Sequence, residues 1–113
     1  MAAGLLNILV EQGSTFSRTL TVEQTAGVPL NLTGYTFASK MKRQLSDANA
    51  AATFTLTVTN AAAGQVNWGL TATQTDALAA QVHRYDIEMT NTGSGAVTRI
   101  LEGEAWVSGS ATK

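Results

Sequence analysis

The chain has no cysteine, a single proline, a single histidine and very little charge. The missing cysteine excludes disulfides, thiolate zinc sites and thiol catalysis together, although it fixes no compartment, since cytosolic proteins also do without it. With His83 as the lone histidine, multi-histidine metal sites are excluded as well. Lys, Arg, Asp and Glu make up 13% of the 113 residues, about half the usual share in a soluble domain. Their near balance leaves a net charge of −1, so the chain is not steered toward nucleic acid or anionic lipid. No apolar run approaches the ~20 residues a membrane-spanning helix needs.

Small neutral side chains fill the space that charge leaves: 17 residues are Thr and 18 are Ala. The length suits one compact domain over residues 1–113, with residues 1–4 and 108–113 read as loose termini. Met1–Val10 has a short apolar stretch but no basic start, so it is not read as a secretory signal, and synthesis and folding in a cytoplasm are expected. The Asn31-Leu32-Thr33 acceptor pattern therefore carries no meaning.

The recurring pattern is period-2 alternation broken by turn signals, the mark of half-buried strands. Residues 5–11 open the series. In 15–22, Phe16, Leu20 and Val22 share a face, and Arg18, on the same parity, is expected at the rim of the core. Gly27, Pro29 and Gly34 punctuate the next segment. Residues 35–43 set Tyr35, Phe37 and Met41 against Lys40 and Lys42; with Arg43, these lysines read as a solvated strand face. In 53–59, Phe54, Leu56 and Val58 alternate with four threonines, and 65–70 repeats the pattern with Val66, Trp68 and Leu70. Thr71 and Gln74 have capping-box spacing, which places one short helix near 72–80. Strand signals return at 83–90, with Tyr85, Ile87 and Met89 on one face. Asn91–Gly95 is a hairpin turn signal, and 96–107 forms the last strand.

That last strand contains a parity conflict. Unbroken, it groups Val97, Leu101, Ala105 and Val107 on one face and leaves Ile100 and Trp106 beside Glu102 and Glu104. Either a bulge near Gly103 shifts the parity, or the strand is buried on both sides. About seven short strands and one helix predict an all-β antiparallel sandwich, immunoglobulin-like or jelly-roll-like.

The residues offer little acid–base or metal chemistry. His83 has no G-x-S-x-G elbow to serve and reads as an exposed polar residue at a strand start. Glu102 and Glu104 lie two apart on one strand, side by side instead of on opposite walls of a cleft. They read as an acidic face meeting Arg84 or Arg99 across the sheet. Gly93-Ser94-Gly95 lacks the third glycine and following helix of a phosphate loop. Trp68 follows core parity, whereas Trp106 is either an exposed contact or core after a bulge.

The order of segments carries a resemblance. EQG-x-TF at Glu11–Phe16 is followed by P-x-N-L-T-G-Y at Pro29–Tyr35. The phrase LTATQTDAL then occupies Leu70–Leu78, YDIE spans Tyr85–Glu88, and LEGEAWVS spans Leu101–Ser108. Over roughly residues 8–108 this resembles the small β-sandwich proteins of tailed bacteriophages related to the N-terminal domain of the baseplate upper protein. The chain departs from that pattern at Gln81-Val82-His83 and in the alanine-rich 48–52 loop.

The resemblance implies a non-enzymatic virion protein, present in several copies and contacting other tail, baseplate or fibre subunits. It carries over no catalytic residue, and on composition and charge no cofactor, nucleic acid or membrane is expected. A capsid decoration protein and a glycan-binding module are the alternatives. The expected contact residues are Leu5, Leu6 and Ile8 in the first strand and Trp106 and Val107 at the end of the last. The domain is expected to be completed by its neighbours.

Overall fold

The structure, a computed structural model, describes residues 4–111. Alternation produces the expected strands, several of them split. They are β1 (Gly4–Leu5), β2 (Ile8–Glu11), β3 (Phe16–Thr21), β4 (Glu23–Thr25), β5 (Val28–Pro29) and β6 (Tyr35–Lys42). After these come β7 (Ala52–Thr53), β8 (Thr55–Asn60), β9 (Gln65–Leu70), β10 (Val82–Asn91) and β11 (Val97–Ser108). Seven of them (β2, β3, β6, β8, β9, β10 and β11) have four residues or more. The only helix among the described residues is α1 (Ala72–Asp76).

The larger sheet runs β1-β11-β10-β6-β7, with β2 following β1 along the same edge of β11. The smaller runs β3-β9-β8, and β4 and β5 form a separate hairpin. Counting β1 and β2 as one broken strand A, the order is B-E-D against A-G-F-C-C′, an immunoglobulin-like arrangement without its disulfide. The expectation of an all-β fold holds, but the sheets are not antiparallel throughout: β1 and β2 run parallel to β11.

The two sheets close on an aromatic centre. Trp68 on β9 is fully buried and packs against Phe16, Phe54 and Tyr85, with ring centroids 4.9–5.2 Å away. Its indole N–H donates across the interface to Ser39 Oγ (3.2 Å), and that hydroxyl donates to the Asp86 carbonyl (2.7 Å). The buried polar atoms of the centre are thereby satisfied. Met41, Ile87, Ala105, Ile8 and Val10 supply the facing wall. Val22, Leu32, Val66 and Met89 make a second cluster.

Helix α1 starts as its sequence dictates. Thr71 Oγ1 accepts from Gln74 N–H, and Gln74 Oε1 accepts from Thr71 N–H. It ends earlier than the expected 80, because Leu78 turns into the core (3% exposed) and takes the chain with it. Thr75, fully buried, ties the helix to the loop after β2 by donating to the Ser14 carbonyl (2.8 Å).

The termini and the bulge correct the sequence reading. Gly4 is paired with Leu101, and Ser108 is paired with Glu11, so neither is loose. Residues 1–3 and 112–113 of the expected loose termini lie outside the described residues. The bulge falls at Ile100, not near Gly103: Ile87 pairs with Leu101 while Glu88 pairs with Arg99. It lets the adjacent Ile100 and Leu101 both pack on the core and turns Val97 out to solvent (58% exposed).

Gly103 has a different role. The first strand dips inward between β1 and β2, and a Cβ at Gly103 would lie 2.0 Å from the Leu6 carbonyl oxygen. The Asn7 side chain substitutes for backbone at this break by accepting from Glu104 N–H (3.1 Å).

Candidate functional site

The outer faces of the two sheets differ sharply in chemistry. On the smaller sheet, the outward positions are Ser17, Thr19 and Thr21 on β3, Gln65, Asn67 and Gly69 on β9, and Thr55 and Thr57 on β8. None is charged. On the larger sheet, strand registry stacks charge into rows: Lys42–Arg84–Glu104, then Lys40–Asp86–Glu102, then Ala38–Glu88–Arg99.

Arg99 is the hub of the charged rows. Its guanidinium lies 3.3 Å from Asp86 and 3.3 Å from Glu102. Glu102 meets Arg99 along its own strand, three residues away, and not across the sheet as expected, whereas Glu104 accepts from the indole N–H of Trp106 (3.2 Å). An open depression of about 460 Å³ lies over these rows, walled on one side by the exposed Leu45. All of these groups are solvated, so each ion pair contributes little to stability.

The row at the end of this face is apolar. Val82 on β10 is paired with Trp106 on β11, and Trp106 with Leu9 on β2. Side chains in direct register on adjacent strands share a face. All three point outward, at 41%, 51% and 55% exposure, whereas their neighbours His83, Ala105, Ile8, Val10 and Val107 point inward. The result is an apolar strip three strands wide with a tryptophan at its centre. With the indole N–H already satisfied by Glu104, the exposed half of the side chain is apolar contact surface.

The expected contact residues divide accordingly. Leu5 (81% exposed), Leu6 and Trp106 are on the surface. Ile8 and Val107 are core residues, 2% and 6% exposed, and their side chains take no part in an outer surface. Leu9 and Val82 belong to the strip in their place. Parity carried that signal: if Ile8 and Val10 face in, Leu9 faces out, and Val82 opposes the Tyr85–Ile87–Met89 face.

His83 is the other correction. It is fully buried on the inner side of β10, not exposed. Its Nδ1 lies 3.1 Å from the Gln81 carbonyl, which can only accept, so Nδ1 carries the proton. Nε2 is then an acceptor, buried and, among the described residues, without a partner. Desolvation holds its pKa below 6.5, partly offset by the Gln81 carbonyl and reinforced by Arg43. Among the described residues no three metal-ligating side chains gather, around His83 or elsewhere.

No protein-family model matches the chain, and no curated protein matches it.

Proposed function

We propose that the chain is a non-enzymatic structural protein of a tailed bacteriophage virion, a tail or baseplate component or an adaptor that attaches fibres. The observation that carries this reading is the outward Leu9–Trp106–Val82 strip. An exposed tryptophan flanked by aliphatic side chains on rigid strands has the make-up of an interface anchor. The solvated charges beside it provide the polar rim that such anchors need. The order of phrases from Glu11 to Ser108 supplies the virion context. Its partners on this reading are other virion proteins, and repeated virion positions call for several copies.

The test is to purify particles of the phage that encodes the chain and to locate the protein in an electron-microscopy map. Density for the sandwich in the tail or baseplate, with the strip against a neighbouring subunit, is the expected result. Density on the capsid lattice would make it a decoration protein. Absence of the protein from intact particles would overturn the virion reading. Selective glycan binding abolished by Trp106→Ala would replace it with a host-recognition module.

A further inference from the structure

Strand β8 is an open edge. Among the described residues it pairs with β9 and with no strand on its other side. Edge strands present unpaired N–H and C=O groups, and proteins commonly blunt them with charge, proline or a covering segment. β8 has neither charge nor proline, and the sequence carries no charged residue between Asp47 and Asp76. Its one irregularity is at Thr59, where the register with β9 shifts between Val58 and Asn60.

The inner layer is also uncovered along this edge. Phe54, Leu56 and Val58 share the core-facing parity, yet exposure rises along the row. Phe54 is 4% exposed, Leu56 is partly buried and Val58 is 40% exposed. Val58 faces the interior side of the sandwich and still meets solvent.

The edge has the same pattern in both directions. Thr55-Leu56-Thr57-Val58-Thr59 places one aliphatic residue on each side of a central threonine. If two such edges are laid antiparallel about a two-fold axis through Thr57, Leu56 falls opposite Val58 of the partner subunit. Thr55 falls opposite Thr59 of the partner subunit, and Thr57 meets its own equivalent. The Leu56–Val58 pairs then lie on the inner layer and the Thr57 pair on the outer face, with the bulged Thr59 at the end of the paired stretch, and no like charges meet. A slip of one residue would set Leu56 against threonine and put the apolar row on the wrong face.

We infer that two copies of this chain join by antiparallel pairing of β8, turning two three-stranded sheets into one continuous six-stranded sheet. The other edges lack these features. β3 carries Arg18 in mid-strand, exposed and 5.6 Å from the Phe16 ring, and self-pairing would bring two arginines together. β7 is two residues long, and β2 is four and ends in Glu11. The β8 edge also lies on the opposite sheet from the Leu9–Trp106–Val82 strip, so a paired chain keeps that strip free. The pairing does not depend on the virion reading.

The absence of cysteine makes the test clean. Thr57→Cys places a unique thiol at the proposed axis, and Thr19→Cys places one on the β3 edge as a control. Purified chains are treated with a short bismaleimide and run under denaturing conditions, and sedimentation equilibrium of the unmodified chain is measured from micromolar to millimolar concentration. The expected results are a concentration-dependent dimer and at least tenfold more cross-linked dimer for Thr57→Cys than for Thr19→Cys. Val58→Lys, at a solvent-reached position, should weaken dimerisation at least tenfold while keeping the fold by circular dichroism. A monomer throughout the range, equal cross-linking at both positions, or a Val58→Lys dimer as tight as the unmodified one would each overturn the inference.

Discussion

The hydroxyl of Tyr85 on β10 donates to the backbone carbonyl of Leu6, in the break between β1 and β2. Tyr85 is paired with Gly103 on β11, and the missing side chain at Gly103 leaves the space through which the Leu6 carbonyl reaches it. One contact thus fixes where the first strand breaks and which of its residues turn outward. The same burial pushes the Tyr85 pKa up to about 12, opposed in part by Arg18.

Gly103→Ala forces a Cβ onto the Leu6 carbonyl, and the expected loss of stability is about 1–3 kcal/mol. Tyr85→Phe removes the donor alone and should cost about 1–2 kcal/mol. Because both act on Leu6, the double variant should lose less than the sum of the two. Urea unfolding of the four chains measures this, and strict additivity would contradict the shared contact.

Ser39→Ala leaves the Trp68 indole N–H buried without its acceptor. The expected destabilisation is about 1–3 kcal/mol, large for the loss of a single oxygen. Unfolding followed by tryptophan fluorescence provides the readout. A change within a few tenths of a kcal/mol would mean that the hydroxyl does not bridge the sheets.

Acid stability should follow His83. Its folded-state pKa lies below the unfolded value of 6.5, so the unfolded chain takes up the proton first as pH falls. The stabilisation is present above 6.5 and lost as pH falls toward the lowered folded value. Melting temperature should therefore drop below pH 6.5 in the unmodified chain and change less in His83→Leu. Parallel melting curves for the two would exclude His83 as the cause.

At the alkaline end the sign reverses. Tyr85 keeps its proton in the folded state to about pH 12, whereas the unfolded chain releases it near 10.0. Stability should fall as pH rises through that window, and Tyr85→Phe should flatten the fall. Urea titrations at a series of alkaline pH values measure it, and an equally steep fall in Tyr85→Phe would count against this assignment.

Local pattern made most of the fold legible. The period-2 phrases gave Phe16, Trp68, Leu70, Tyr85 and Ile87 their inward direction, and the Thr71/Gln74 spacing gave α1 its start. What could not be read depends on pairing over distance. Gly103 resembles a bulge residue until the Leu6 carbonyl, almost the whole chain away, is seen to occupy its place. The true bulge was hinted at by two adjacent apolar residues, Ile100 and Leu101, which only a bulge lets face in together. His83 reads as polar and therefore exposed, but the parity it shares with Tyr85 and Ile87 draws it inside. The candidate surface was half visible. Parity with the two glutamates offered an exposed Trp106 as one of two readings, whereas Leu9 and Val82 become its neighbours only once the registers of β2 and β10 are known.

Trp106→Glu tests most directly whether the Leu9–Trp106–Val82 strip anchors the protein to a neighbour. The residue is half exposed, so the fold should survive, with an unchanged circular dichroism spectrum and a melting temperature within a few degrees of the original. Particles assembled with the Trp106→Glu chain in competition with the unmodified one should incorporate it at less than about a tenth of the normal level, the scale expected for loss of a central tryptophan anchor. Incorporation of the two chains in equal amounts would contradict the account.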